Sequence, residues 1–325
     1  MKRVWIAGGT GYIGSATVNA VREAGFQPVV LTRSSEKAKQ LRSDGVEAVV
    51  GDLGVPGEWA HSFDCEHAVF LAAPPTWGRR VSSAVAREFR DGLLRITQSF
   101  FGALRGKRLD RVVYIAGTSF YGDAGDGTPR TEDETGAPKG WGPYLAPAVQ
   151  FAEGQGGQGV PLVVAFPGQV YGPDSWNEQL FLKPIAAGKA VTGLRGYDPL
   201  FSPIHVDDCG RAIAHLLSRG EAGRRYLLVD GERVRVGQFA EEVARVLGRP
   251  LHRRNVPRWL CSLLLGPVLT EYATAHTNFS SARLIGTGFQ LRYPTYRDGL
   301  PDVVRRWQAK RADSVPAEGV LPAKS

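Results

Sequence analysis

The sequence predicts an α/β chain, a doubly wound parallel sheet followed by a smaller mixed α/β C-terminal domain. Three observations predict it. Short β-branched runs alternate with longer amphipathic stretches through the first half; those runs lack a polar face, as strands covered on both sides must; and after Phe166 the rhythm breaks into loops rich in Gly and Pro. Strands are expected at Arg3–Ala7, Pro28–Thr32, Ala48–Val50, Ala68–Leu71, Arg111–Ala116 and Leu162–Ala165, with helical patterns between most of them. Later come a helix near Asp207–Ser218, a strand near Arg225–Val229 and a helix from Val236 to Leu247. The expected division gives residues 1–166 to the first domain, with 203–230 returning to it, and 167–311 mostly to the second. A disordered tail is expected over 312–325, where Pro316, Gly319 and Pro322 leave no periodicity.

Composition narrows the classes of function. With 43% hydrophobic and 22% charged residues over 325 positions, disorder, collagen and repeat arrays are excluded. Cys65, Cys209 and Cys261 are too far apart for a disulfide framework or a zinc motif, which favours a reducing, cytoplasmic setting and no metal. The apolar run behind Lys2-Arg3 ends at Gly8-Gly9, too soon for a secretory signal. The stretch from Trp259 to Leu269 is broken by Gly266-Pro267 and falls short of the roughly 20 residues that span a bilayer. A net charge of +8 could draw a polyanion, but basic pairs such as Arg224-Arg225 and Arg305-Arg306 are scattered among acids. With no aromatic-interleaved basic stripe, solubility explains the charge better than nucleic-acid binding.

The strongest chemical signal is Gly8-Gly9-Thr10-Gly11-Tyr12-Ile13-Gly14, directly after the first strand and before a helical pattern from Ala16 to Ala24. Glycines let the backbone turn sharply, approach a pyrophosphate and pack the helix on the strand. The helix N-terminus then offers free N–H groups to the phosphates. An acid about 20 residues on would bond a ribose 2′-hydroxyl. At the end of the second strand stands Arg33, followed by Ser34, and a guanidinium there suits a 2′-phosphate. NADP(H) is therefore favoured over NAD(H). Lys37 supplies a second cation or is a solvated charge.

These residues resemble the extended short-chain dehydrogenase/reductase family, the epimerase/dehydratase-like group of Rossmann proteins, from Lys2 to about Trp307. Supporting pieces are Gly51-Asp52-Leu53, Leu71-Ala72-Ala73, Ser119-Phe120-Tyr121-Gly122, Pro167-Gly168-Gln169-Val170-Tyr171-Gly172-Pro173 and His205-Val206-Asp207-Asp208. The resemblance implies that Asp52 accepts from the adenine amino group, Leu53 packs on the adenine, Ala72-Ala73 line the ribose path and Pro167-Gly168 approach the nicotinamide. His205 and Asp207 are read as structural. Similar proteins are often homodimers, which makes a homodimer the expectation by analogy.

The resemblance also implies a tyrosine that exchanges a proton with the substrate, a lysine four residues on that lowers its pKa, and an orienting Ser or Thr. Tyr144 stands at the tyrosine position, but Ala148 replaces the lysine. Lys139, across Gly140 and Gly142, is the nearby alternative cation or a solvated loop charge. The hydroxyl position falls at Gly117, so Thr118 can serve only if the strand end bends. Pro147 suits a first helical turn; a helix starting there leaves Tyr144 outside it.

A free tyrosine has a pKa of about 10, and bringing it to 7 takes about 4 kcal/mol that alanine does not supply. Oxidation and epimerisation need that base; protonating a reduced product does not. Tyr121, Trp141, Tyr171 and Trp176 are the candidate substrate aromatics, and Phe166 replaces an arginine common in relatives, which points to a hydrophobic or aromatic substrate. Leu263, Leu264 and Leu265, behind the helix starter Pro257, are core, a subunit contact or a membrane-docking face. Three functions stay open: an NADPH-dependent reductase of an activated carbonyl, imine or enone-like group, with Tyr144 or water as proton donor; a catalytically silent NADP(H)-binding regulator or accessory subunit; and a non-redox lyase or isomerase.

Overall fold

The computed structural model describes residues 1–55, 57–76 and 80–313. The strands β1 (Arg3–Ala7), β2 (Gln27–Thr32), β3 (Glu47–Val50), β4 (His67–Phe70), β5 (Arg111–Ile115) and β6 (Leu162–Pro167) lie within two residues of the expected bounds at every end. All pair in parallel, together with a later strand, Arg225–Leu228, in the order β11-β6-β5-β4-β1-β2-β3, where β11 is that later strand. The chain reverses its direction of winding between β1 and β4. Sheets of this kind bind ligands at the carboxyl ends of the strands beside that reversal.

Both faces of the sheet are dry, and residue alternation explains how. Val4 and Ile6 of β1 face one cluster, which also holds Val18 and Val21 of α1 (Tyr12–Glu23); Trp5 and Ala7 face the other. The second cluster is built with α3 (Ser83–Leu104) and α4 (Gly142–Gly157), and in it Trp5 packs on Phe63 at 4.8 Å between ring centroids. Between these helices comes α2 (Ser35–Ser43), capped by the Ser34 hydroxyl, which accepts from the Lys37 N–H at 3.2 Å. Burying an aromatic or branched side chain of this kind contributes about 1.5–3 kcal/mol.

Beyond β6 short strands pair locally: β7 (Gln169–Tyr171) with β10 (Pro203–His205), β8 (Val191–Leu194) with β13 (Arg253–Val256), and β9 (Leu200–Phe201) with β12 (Val234–Arg235). After α5 (Lys183–Ala186), helix α6 (Val206–Arg219) returns to α1, so closely that a Cβ on Gly210 would lie 2.7 Å from the Ala16 carbonyl. A separate core forms around Phe239 of α7 (Val236–Leu247), which touches Tyr171, Trp176, Phe181, Phe201 and Tyr296. Helices α8 (Arg258–Leu265), α9 (Pro267–Tyr272) and α10 (Ala282–Gly286) follow.

Two expectations are corrected here. Helix α11 (Tyr296–Asp313) carries the chain through Ala312, where a tail was expected; Pro301 and Gly299 in its first turns obscured the helical pattern. Residues 314–325 of that expected tail lie outside the described residues. Helix α4 begins at Gly142, not at Pro147, so Tyr144 rides in its first turn. Pro147 leaves the carbonyl of Pro143 without a helical donor, and because Pro143 is exposed water can bond it instead.

Candidate functional site

At the winding reversal, Leu71 N–H donates to the Ala7 carbonyl at 2.8 Å, holding the 71–73 segment against the glycine loop. Gly8, at φ +88°, allows no Cβ, which would sit 2.7 Å from the Ala72 nitrogen; a Cβ on Gly14 would lie 2.0 Å from the Gly8 oxygen. Ala72 is half-buried and Ala73 exposed. Helix α1 starts from Gly11 with no side-chain cap and no acid in its first turn, so its terminal N–H groups face outward without a protein anion. Tyr12 turns away from the loop. Its phenol lies where a Cβ on Gly172 would meet it, and burial pushes its pKa up. Ile13 is half-buried against the helix-side cluster.

A cavity of about 240 Å³ opens beside the loop, lined by Thr10, Thr32, Arg33, Ser34 and Lys37. Arg33 and Lys37 are exposed, and neither side chain has a hydrogen bond or ion pair among the described residues. Thr32 escaped the sequence reading; it ends β2 and its hydroxyl accepts from the Ser34 N–H at 3.3 Å. Asp52 accepts from Gly54 N–H at 2.7 Å, and Leu53 is buried. Across the sheet Gly168 N–H donates to the Leu228 carbonyl at 3.0 Å, and a Cβ there would lie 2.1 Å from the Ser202 oxygen, so the Pro167-Gly168 corner is held rigidly.

The chain leaves β5 at Ile115 and winds into a tight turn, Thr118–Tyr121, which frees Thr118 from strand alternation. Thr118 is buried, yet its hydroxyl makes no hydrogen bond to the described residues. The start of α4 packs directly on this turn: a Cβ on Gly142 would lie 2.3 Å from the Ser119 oxygen. Tyr144 sits half-buried among Val81, Val85, Ala86, Trp141, Val268 and Leu269, with Trp141 edge-on at 6.4 Å and itself packed on Phe89. Ala148 is 1% exposed in the sheet-side core. Lys139 is bonded to Asp123 at 2.8 Å and does not stand in for the missing lysine. Despite partial burial, that bond and N–H groups of Gly125 and His276 hold the Asp123 carboxyl below its ordinary range. Arg90 of α3, bonded to Asp91, is a cation within electrostatic range of Tyr144, and the sequence reading did not flag it.

Two substrate candidates, Tyr121 and Tyr171, are corrected, and Trp176 is half-buried. Tyr121 is fully buried between Phe120, Phe166 and Phe279, its hydroxyl donating to the Glu132 carbonyl at 3.3 Å. Tyr171 is fully buried between His205 and Phe239. Trp176 donates to the Val170 carbonyl at 2.8 Å and stacks on Phe239. Tyr121 and Tyr171 serve the packing, because the turn that holds Tyr121 and alternation in β7 aim them inward. Trp141 remains beside Tyr144.

His205, Asp207 and Asp302 bring three ligand-type atoms within 4.8 Å, but Arg306 lies between the carboxylates, bonding Asp207 and reaching Asp302 at 2.7 Å. Burial keeps His205 below its ordinary pKa, and its Nδ1 accepts from the Asp207 N–H that opens α6. The cluster joins α6 to α11. Asp208, fully buried, accepts from the N–H groups of Arg292 and Tyr293 at 2.8 Å each and pins the approach to α11.

An uncapped helix terminus, a loop that admits only glycine and a cavity with unpaired cations define a dinucleotide-binding α/β protein. The chain belongs to the NAD dependent epimerase/dehydratase family, which it matches over residues 4–229. Membership carries a nicotinamide dinucleotide as cofactor and reductase, epimerase or dehydratase chemistry as the class of activity. Among curated relatives it is 26% identical over 272 residues to a putative dihydroflavonol 4-reductase of Synechocystis, covering 79% of this chain and 76% of that one. It is 25% identical over 264 residues to 4-hydroxy-2-methyl-3-oxo-4-farnesyl-3,4-dihydroquinoline-1-oxide ketoreductase of Stigmatella aurantiaca, covering 78% and 76%. Its fold is similar to human epimerase family protein SDR39U1 with NADPH, with a TM-score of 0.77 at 20% identity over 93% of this chain and 99% of that one. It is also similar to Thermus thermophilus UDP-glucose 4-epimerase with NAD, with a TM-score of 0.78 at 20% identity over 94% and 99%. No helix among the described residues is long and apolar enough to cross a membrane.

Proposed function

We propose that the protein is an NADPH-dependent reductase of an activated carbonyl, imine or enone-like group on a hydrophobic small molecule. The observation that carries this is the cavity of Thr10, Thr32, Arg33, Ser34 and Lys37, whose two cations have no side-chain partner among the described residues. In this reading the N-terminus of α1 and the glycine loop hold the pyrophosphate, Arg33 and Ser34 with Lys37 hold the 2′-phosphate, Asp52 and Leu53 hold the adenine, and Ala72, Ala73, Pro167 and Gly168 flank the ribose and nicotinamide. The bound nicotinamide supplies hydride to the acceptor carbon.

The protein's own share is positioning and one proton. Tyr144 donates from its neutral hydroxyl to the oxygen or nitrogen that becomes basic on reduction, with Thr118 orienting that atom. A phenol donates without a lowered pKa, whereas accepting a proton from an alcohol demands one, so the loss of the lysine at Ala148 biases the chemistry towards reduction. The partly exposed Val85, Trp141 and Leu269, seated on the buried Val81, Ala86 and Val268, suit a hydrophobic substrate, and both reductase relatives carry names of that kind. Under this reading residues 1–166 with 203–230 form the cofactor domain and 167–311 most of the substrate side.

NADPH deuterated at the transferable position, incubated with a panel of hydrophobic ketones, imines and quinonoid acceptors, tests it. Deuterium is expected in a reduced product, and Tyr144→Phe should slow turnover about 10²–10⁴-fold at unchanged NADPH affinity. Tight NADPH binding with no label in any product refutes the reductase in favour of a silent binding protein. Undiminished turnover in Tyr144→Phe makes water the donor.

A further inference from the structure

We propose that helix α8 docks on an anionic lipid surface and that the substrate reaches Tyr144 from that bilayer. The second half rests on the reductase reading; the docking does not. Trp259, Leu263, Leu264 and Leu265 are 67%, 60%, 62% and 50% exposed, and they wrap much of the free circumference of one eight-residue helix with apolar surface. Isolated exposed leucines are ordinary, but four large apolar side chains on two turns form a patch that marks an interaction site.

The backbone is prepared for leaving water. The Arg80 guanidinium donates to the carbonyl of Leu263 at 2.7 Å and to that of Ser262 at 3.3 Å, and Val81 N–H donates to the Leu265 carbonyl at 2.8 Å. Carbonyls at a helix C-terminus otherwise need water, and an unsatisfied one is costly in an apolar phase. Here the strap before α3 satisfies those of Ser262, Leu263 and Leu265 while the side chains stay bare.

Charge selects the partner. Residues 243–270 hold five arginines and no acid. Arg258 on α8 and Arg249 have no side-chain partner among the described residues, and Arg254 has only a hydrogen bond to the Thr192 hydroxyl at 3.2 Å. A second copy meeting this face across a two-fold axis would set these arginines against their own kind with no acid from the same stretch. Anionic headgroups complement them, and Trp and Leu beside Arg is the pattern of helices lying in a membrane interface. At about 12 Å, α8 lies on a bilayer and does not span it.

The face adjoins the site. Gly266, which closes α8, packs so tightly on Val81 that a Cβ would lie 2.2 Å from the Val81 oxygen. Helix α9 then gives Val268 and Leu269 to the apolar cluster around Tyr144 and Trp141. A molecule leaving the lipid at α8 would meet the partly exposed Leu269, Val85 and Trp141 beside the proposed proton donor.

The test sediments the full chain with vesicles of phosphatidylcholine alone or with phosphatidylglycerol. Binding is expected only to the anionic vesicles. Arg254→Glu with Arg258→Glu should weaken it more than about tenfold, since each basic side chain near such a surface contributes roughly fivefold. Leu263→Ser with Leu264→Ser should abolish it while NADPH affinity, read by calorimetry, stays at the wild-type value. Wild-type protein that ignores anionic vesicles, or a leucine variant that binds them undiminished, overturns the docking. So does a leucine variant whose effect is to turn a dimer into a monomer in sedimentation. The delivery half is read separately: the leucine variant should lose kcat/KM for a long-chain ketone offered in anionic vesicles and keep it for a short soluble one. Equal loss on both overturns delivery, and no turnover of either in wild type is the failure of the reductase reading alone.

Discussion

Replacing Arg33 with alanine should lower NADPH affinity about tenfold and leave NADH affinity within about twofold. The size follows from the cavity. Arg33 is one of two unpaired cations lining it, and a hydrogen bond between a guanidinium and a phosphate contributes about 1.5–3 kcal/mol. Because Arg33 is exposed, screening puts it at the lower end, about 1.5 kcal/mol, which is a tenfold ratio. Lys37 shares the same ligand, so its removal from the Arg33→Ala variant should cost less than additivity predicts. Arg33→Asp goes further, because a carboxylate there repels the 2′-phosphate and accepts from a 2′-hydroxyl, so preference should pass to NADH. Calorimetric titration of both dinucleotides at about 0.05 M and about 0.3 M salt reads all of this: the wild-type preference should shrink with salt and that of Arg33→Ala should not. An NADPH to NADH ratio unchanged in both variants refutes the role of the guanidinium.

Gly14→Ala should remove dinucleotide binding and destabilise the fold by about 1–3 kcal/mol, because its Cβ would meet the Gly8 oxygen at 2.0 Å and backbone cannot swing aside as a side chain can. A wild-type melting temperature and NADPH affinity in that variant would contradict the loop geometry. Burial pushes the Asp230 carboxyl up to about 8, against about 4 in an unfolded chain, so the folded protein holds a proton that the unfolded one has released between those values. The folded state binds more protons there, and stability must fall as pH rises through that window, by up to about 1.4 kcal/mol per unit from this group. Asp230→Asn keeps an oxygen for the Glu232 N–H, now bonded at 3.0 Å, and should flatten the fall in melting temperature between about pH 5 and about pH 8; parallel profiles for the two proteins would refute the assignment.

The sheet was legible because buried parallel strands must be continuously apolar, and β1 through β6 each carry such a run. The glycine loop was legible because its constraint is local: Gly8 and Gly14 are required by backbone within the same turn or the adjacent strand end. Tyr121 and Tyr171 misled because an aromatic beside a glycine reads the same whether it faces a ligand or a core, and only the distant Phe279 and Phe239 decide it. The start of α4 was hidden by Pro147, whose cost depends on which carbonyl it orphans. The wall around Tyr144 was invisible, since Val81, Trp141 and Val268 come from three separated segments.

The two halves of the proposed site rest on different physical footings. In the proposed reading, cofactor recognition uses backbone N–H groups and exposed cations, which are indifferent to what packs behind them. The proton-transfer half stands on the sheet-side core, where Ala148 is 1% exposed and Phe166 is fully buried against Phe120 and Tyr121. A lysine in that setting would need water or an anion for its ammonium, and Glu153, an acid on the same helix, is already paired with Arg225. On the reductase proposal, alanine at position 148 gives up a phenolate base, while a neutral hydroxyl can still donate. That combination favours substrates whose acceptor carbon is activated by their own structure and whose bulk is apolar.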